Sequence, residues 1–249
     1  MLPRTLEPEV MDSREDAWDY DTMDHDEVNR RFVDDLLAAG LARGGKPEGE
    51  CQKPNEEPVT DHVEDLDDCG EPLLVLDLGT GTAQIPILLC QATEDVRVIA
   101  TDAAVSMLDL ARLNVEIAGL RDRIQLDQSD AKQMAYRDKM FDAVLSNSIV
   151  HHVQEPAAVL REAVRVTKPG GLLFFRDLKR PADEPDVDRL IEMYAQGCND
   201  HQRKLFRDSL HAALTVDEVR ARLAELGFAA DTVQETSDRH WTWTARRTE

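Results

Sequence analysis

The residues of this chain that can do chemistry gather at a few points. Residues 73–87, LLVLDLGTGTAQIPI, hold an apolar run closed by Asp77, then two glycines, Gly79 and Gly81, on either side of Thr80. The run is patterned as a strand buried on both faces, and the stretch after the glycines as a helix. Glycine here lets the backbone turn tightly and removes the Cβ where a ligand comes close. The helix behind the turn aims unpaired N–H groups at whatever lies on it. An acid at the strand end suits the hydroxyls or the ammonium group of a nucleoside-like ligand, so the turn reads as a nucleoside-cofactor cradle. A dinucleotide fingerprint, G-x-G-x-x-G, needs a third glycine, and Gln84 stands in its place.

Further polar residues close later strand candidates: Asp102, Asp130 and Ser146-Asn147-Ser148, with His151-His152 just beyond. In open α/β sheets ligands sit outside the carboxyl ends of the strands. Asp102 lies about 20 residues past the glycine turn, the spacing at which an acid reaches ribose hydroxyls. With Ala103 opening a helix, Asp102 also reads as a helix cap, and the two roles coexist. One histidine of the pair can act as general base toward an acceptor, because imidazole titrates near neutral pH. The alternative is that one packs or caps and the other is solvated. Adjacent side chains diverge, which leaves one at most for an acceptor. No matching ligands lie near the pair, so no metal site is expected.

Arg203, Arg207 and His211 recur at i, i+4 and i+8 and share one helix face, while Arg176 ends the fifth strand candidate. A basic cluster in an acidic chain suits a carboxylate or phosphate on the acceptor, with Arg207 as its contact. The alternative is that these side chains pair with surface acids.

Elements to position these groups are legible. Strands are expected at 73–76, 96–101, 123–126, 141–146 and 172–175, with two more at 233 and 241–245. Helices are expected at 105–118, at 156–166 with proline in the first turn, twice within 183–213, and from the Thr215/Glu218 capping box to Gly227. Lys168-Pro169-Gly170-Gly171 reads as a turn. Such alternation gives a parallel sheet with helices on both faces, and the two closing strands lie too close for a crossover helix, so one runs antiparallel. Ahead of the sheet, residues 1–22 read as irregular until they dock. Asp24 and Glu27 read as a capping box for an amphipathic helix through Val28, Phe32, Val33, Leu36 and Leu37, stopped by Gly40. That helix either braces the sheet or caps the site. Residues 41–71, rich in glycine, proline and acid, read as a linker. The division expected is 1–71 as cap and linker, then 72–249 as the main domain with a helical insertion at about 178–214. The N-terminal helix and the insertion are expected to cover the cleft together.

The glycine turn resembles the first motif of class I S-adenosylmethionine-dependent methyltransferases, acidic-x-Gly-x-Gly-x-Gly, at Asp77, Gly79 and Gly81, with Ala83 at the last glycine. Asp130-Ala131 resembles the third motif, whose acid takes the adenine amino group. FDAVLSNSIVHHV at 141–153 resembles the fourth, and LRE at 160–162 with VTKPGGL at 166–172 its following helix and turn. The resemblance covers 72–177. It implies a Rossmann-like, seven-stranded, mostly parallel sheet with the last strand antiparallel, and S-adenosyl-L-methionine as cofactor. Its contacts would be Asp77, Gly79, Thr80, Gly81, Asp102, Ala103, Asp130, Ala131, Ser146 and Asn147. Methyltransferases acting on nucleic-acid bases usually carry Asn/Asp-Pro-Pro-aromatic where this chain has Ser-Asn-Ser-Ile. The organisation is closer to the small-molecule branch that includes ubiquinone and menaquinone biosynthesis enzymes. The function implied is methyl transfer to a small-molecule acceptor, His151 or His152 being the candidate base and Arg176, Arg207 and His211 the candidate substrate contacts. The other reading is a catalytically silent S-adenosylmethionine-binding regulator of the same fold.

Composition narrows the partners. The 249 residues carry a net charge of −21, a surface that repels phosphate backbones and anionic membranes. No run approaches membrane-spanning length, and the first residues lack an apolar signal core. Cys51, Cys69, Cys90 and Cys198 form no zinc or redox spacing. The expectation is a reduced, cytoplasmic protein whose partner is a small-molecule methyl acceptor, with no nucleic acid, no membrane and the oligomeric state left open.

Overall fold

The apolar run at 73–78 becomes β1 (Leu73–Leu78), near the middle of a seven-stranded sheet in a computed structural model that describes residues 2–6, 12–23, 25–41 and 71–248. The strands are β2 (Val96–Asp102), β3 (Ile124–Gln128), β4 (Phe141–Asn147), β5 (Thr167–Leu178), β6 (Val233–Glu235) and β7 (His240–Arg246), in the order β3-β2-β1-β4-β5-β7-β6. Pairing is parallel from β3 to β5, and β7 runs antiparallel to both β5 and β6. Strand order reverses direction between β1 and β4, which puts the crevice of the switch point outside their carboxyl ends.

Alternation along the strands divides the core in two. Leu76, Leu78, Val144, Leu173, Phe175, Trp241 and Trp243 face α5 (Pro156–Val166) and α8 (Val216–Glu225). Val75, Ala143, Leu145, Leu172 and Phe174 face α2 (Asp26–Ala38), α3 (Gln84–Ala92) and α4 (Val105–Ile117). The Thr215/Glu218 capping box forms as the sequence implies, each side chain meeting the other residue's backbone N–H.

Two differences from the sequence reading concern this framework, and two of its readings fall outside the described residues. Residues 14–22, expected to be irregular, form α1 (Arg14–Thr22), which packs on α4. It has little amphipathic signal of its own, so only the contact reveals it. Asp24 of the expected capping box lies outside the described residues, and α2 starts after His25, whose side chain makes no cap hydrogen bond. Residues 42–70 of the expected linker also lie outside. The turn at 168–171 is a bulge within β5, where the register with β4 shifts between Phe141 and Ala143. Between β5 and α8 stand α6 (Glu184–Tyr194) and α7 (Asp200–Ala212), packed through Val187, Leu190, Ile191 and Leu210.

Helix α2 is a brace. Phe32, Val33 and Leu36 are buried in the sheet's core, with Phe32 edge-on to Phe174 at 5.1 Å. Covering the turn falls to Tyr20 of α1 together with Asn29 of α2.

Candidate active site

The turn after β1 has the geometry its glycines allow. Gly79 and Gly81 have φ of +69° and +54°, and Ala83 follows in the left-handed region at +64°. A Cβ on Gly79 would sit 2.7 Å from Ile149, and one on Gly81 3.3 Å from the Tyr20 ring of α1. These residues are glycine partly because the protein's own side chains close over them.

Asp77 is buried at the strand end, and its Oδ2 has no hydrogen-bond partner among the described residues. Burial pushes its carboxyl up to about 7, and the charge of Asp102 adds in the same direction. Together with Thr80, Thr82, Asn29 and Gly79 it lines a small recess beside Tyr20. Burial likewise pushes the Tyr20 phenol up to about 12. Asp102 is engaged at both carboxylate oxygens. Its Oδ2 accepts from Gly81 N at 2.8 Å and its Oδ1 from Ala104 N at 2.9 Å, tying the glycine turn to the start of α4. Burial raises its pKa, against the pull of these two N–H groups.

A cavity of about 610 Å³ continues from this turn across the carboxyl edge of the sheet. Gly79, Gly81, Asp102, Ala103, Met107, Asp130, Ala131 and Asn147 line one end. Asp130 pairs with Lys132 at 3.4 Å. Ser146 turns away: its Oγ donates to Leu78 O at 2.9 Å and so clamps β4 to β1.

The other end is built by the loop after β4, the ends of β5 and β7, and α6–α7. His151 and His152 both line it, with ring centroids 4.0 Å apart. The expectation that adjacent histidines diverge fails, because 149–153 is a tight turn, with His152 N bonded to Ile149 O and Val153 N to Val150 O. Asp177, near the cavity end of β5, holds this loop. Its Oδ2 accepts from Val150 N at 2.6 Å, and its Oδ1 lies 2.5 Å from His151 Nδ1. Both side chains are almost wholly buried, at 3% and 1% exposure. Burial opposes the charge on Asp177, yet the adjoining His151 and its hydrogen bonds hold the carboxyl below its usual value. An ionised carboxylate here favours the imidazole proton on Nδ1.

None of the three expected substrate contacts lines the cavity. Arg176 is buried behind the sheet edge, with Nη2 2.7 Å from Asp35 and Nε bonded to Thr242. Arg207 pairs with Asp188 at 2.5 Å and Glu184 at 3.7 Å, and His211 lies 3.6 Å from Glu184. Helix α7 turns Arg207 and His211 to the acids of α6, as the alternative reading of that face has it, while Arg203 donates to Ala195 O at 3.1 Å.

Both segments outside the sheet contribute walls: Tyr20, His25, Val28 and Asn29 from the N-terminal side, Tyr194, Gln202 and Phe206 from α6–α7. They meet where Gln202 Nε2 donates to Asp19 O at 3.2 Å. Gln84, at the missing third glycine, accepts from Asn29 at 2.8 Å and donates to Asp21 at 3.4 Å. That position therefore anchors α1 and α2. Sequence reasoning missed Tyr20, Asp177 and Arg239. Asp177 had a signal, an acid closing the apolar run of β5, whereas Tyr20 and Arg239 stand in segments without periodicity.

Residues 76–175 match a family model described as a methyltransferase domain. A 27-O-demethylrifamycin SV methyltransferase from Amycolatopsis mediterranei is 28% identical over 182 residues, 70% of this chain and 62% of that protein. A demethylmenaquinone methyltransferase from Bacteroides fragilis is 27% identical over 125 residues, 50% of this chain and 51% of its own. The chain thus spans less than two thirds of either relative's length. In fold, a SAM-dependent methyltransferase from Aquifex aeolicus superposes with a TM-score of 0.54 over 72% of this chain and 84% of its own, at 23% identity. Residues 76–175 thus match a methyltransferase domain, and the seven-stranded sheet around them, with a glycine turn at its switch point, is similar in fold to a SAM-dependent methyltransferase.

Proposed function

We propose that the protein transfers a methyl group from S-adenosylmethionine to a small-molecule acceptor, with His151 as general base and Asp177 orienting it. The observation that carries this reading is the buried 2.5 Å contact between His151 Nδ1 and Asp177 in the wall of a cavity that begins at the glycine turn.

The residues of the turn fit the cofactor. The partnerless Oδ2 of Asp77 suits an ammonium group, and the two positive-φ glycines bring backbone close to the recess. Asp102 has used two of its roughly four lone-pair sites on Gly81 and Ala104, which leaves acceptor capacity for ribose hydroxyls. Ala103, Met107 and Ala131 offer apolar lining for an adenine ring. When bound, S-adenosylmethionine supplies an electrophilic methyl group on a positively charged sulfur.

Everything else is done by the chain. The walls from α1 and α6–α7 exclude water, so the acceptor is held in line with the methyl group. Positioning of this kind can remove roughly 7–11 kcal/mol of a barrier in favourable cases. His151 takes the acceptor's proton on Nε2 while Asp177 stabilises the imidazolium formed. Such a base is worth about 10²- to 10⁴-fold in rate. It suits a hydroxyl or an acidic carbon as the methylated atom, since both must lose a proton.

The test is incubation with methyl-labelled S-adenosylmethionine and a panel of small hydroxylated compounds, read as S-adenosylhomocysteine release. Transfer that collapses in His151→Ala while the cofactor still binds supports the reading. Cofactor binding with no transfer to any acceptor, in panel or metabolite extract, would return the protein to the silent-regulator class.

A further inference from the structure

The acceptor end of the cavity differs in charge from the rest of the molecule. The chain has 50 aspartates and glutamates against 29 lysines and arginines, yet the carboxylates lining the cavity, Asp102 and Asp130, both lie at the cofactor end. The lining holds one guanidinium, Arg239, beside His240 and Tyr194 of that end. Asp177 is close by, but it sits behind His151 and is committed to it.

Arg239 is held ready. Its guanidinium carbon stacks 3.3 Å from the centroid of the Tyr194 ring, which fixes the plane of the fork. Its backbone is pinned on both sides, N–H to Ser237 Oγ and carbonyl to Lys179 N. The neighbouring Asp238 favours the charge on Arg239 but makes no ion pair with it, since that carboxylate accepts from Tyr194 Oη at 2.9 Å and meets Arg189 at 3.4 Å. Among the described residues no carboxylate stands within ion-pairing distance of Arg239. Burial lowers its pKa, as expected of a cation that lacks such a partner. Stacking occupies one face of the guanidinium and leaves the N–H edge for a planar, bidentate anion.

We propose that Arg239 is the specificity-determining residue for the acceptor, and that the acceptor is a small molecule bearing a carboxylate, which the guanidinium edge receives. One cation matches a monoanion. A phosphate dianion would call for a second, and the adjoining His240 cannot serve: burial and the neighbouring Arg239 and Arg176 push its pKa down to about 4, so it is neutral near pH 7. The anionic acceptor suggested by the chain's basic stripe therefore gains a contact in the cavity, 32 positions beyond Arg207 in sequence and on a different element. This rests on the methyltransferase reading above.

The experiment uses the full chain saturated with S-adenosylhomocysteine and matched pairs of probes, 4-hydroxybenzoate with 4-hydroxybenzamide and 3,4-dihydroxybenzoate with its amide, followed by calorimetry. Wild type should prefer the carboxylate of each pair by about 10- to 100-fold, the range for a charge-assisted bond. Arg239→Gln should abolish the preference and keep its affinity for S-adenosylhomocysteine, and Arg239→Lys should retain a fraction of it. A wild type that binds acid and amide alike, or binds neither, overturns the proposal, as does a preference that survives Arg239→Gln. Failure of S-adenosylhomocysteine itself to bind wild type would instead overturn the methyltransferase reading, so the two failures are distinct.

Discussion

At the β1–β2 end of the cavity the ligand-facing groups are backbone at positive φ and carboxylates at strand ends; at the β4–β5–β7 end they are imidazoles, a stacked guanidinium and apolar side chains from added helices. The first end is fixed by local sequence: a strand, a turn and a helix within twenty residues place Asp77, Gly79 and Gly81. The second is assembled from distant points, Asp177 meeting His151 and Arg239 meeting Tyr194 across 26 and 45 positions. The difference implies that cofactor binding and acceptor chemistry are separable by mutation, each end failing in its own way.

The largest separation should come from the acceptor end. His151→Ala should lower kcat by about 10²- to 10⁴-fold, the value of a positioned general base, and leave S-adenosylhomocysteine affinity within about twofold. Asp177→Asn should lower it too and also shift the pH–rate profile, since the imidazolium loses its counter-charge. If the profile keeps its shape, the pair is structural only.

At the cofactor end Gly79→Ala should do the reverse. A methyl group there meets Ile149 at 2.7 Å in a backbone held at φ of +69°. Cofactor affinity and folding stability should both fall, by about 1–3 kcal/mol each. Calorimetry and thermal unfolding read this directly.

Asp77 sharpens the contrast through pH. Its folded pKa of about 7 is above the ordinary 3.8, so ionising it opposes folding, and the apo-protein loses stability as pH rises from about 4 through 7. A cationic ligand prefers the ionised form. S-adenosylhomocysteine, with its ammonium group, should therefore bind more tightly as pH rises toward 7 and level off above it. Asp77→Asn should flatten that dependence and raise apo stability at pH 8 by about 1–3 kcal/mol.

Smaller effects are expected at the cap. Gln84→Ala should loosen α1 and α2 by about 1 kcal/mol, seen as faster hydrogen exchange in residues 14–22. Arg207→Gln should leave acceptor kinetics unchanged, because its pairs with Asp188 and Glu184 are exposed and of a kind worth about 0–1 kcal/mol. A raised KM in that variant would restore Arg207 to the site.

The two ends also differ in how far the sequence discloses them. Strand positions, the antiparallel β7 and the placing of Asp102 at the start of α4 follow from periodicity and spacing, because hydrophobic alternation and turn chemistry act over a few residues. The identity of the partner that orients His151 does not, since only sheet register brings Asp177 beside the β4 loop, through pairs such as Asn147 with Arg176. Gln84 is instructive: by motif it reads as a missing glycine, and by contact it is the anchor for α1 and α2. The stripe of Arg203, Arg207 and His211 lies on one helix face, but periodicity cannot say that the acids of α6 are opposite it.

The most direct test of the separation uses one sample of His151→Ala, assayed for S-adenosylhomocysteine affinity by calorimetry and for methyl transfer from labelled cofactor to the acceptors that wild type accepts. Wild-type affinity with transfer reduced at least about 100-fold is the result expected. Transfer at the wild-type rate, or affinity lost in step with transfer, would contradict the assignment of base and the independence of the two ends.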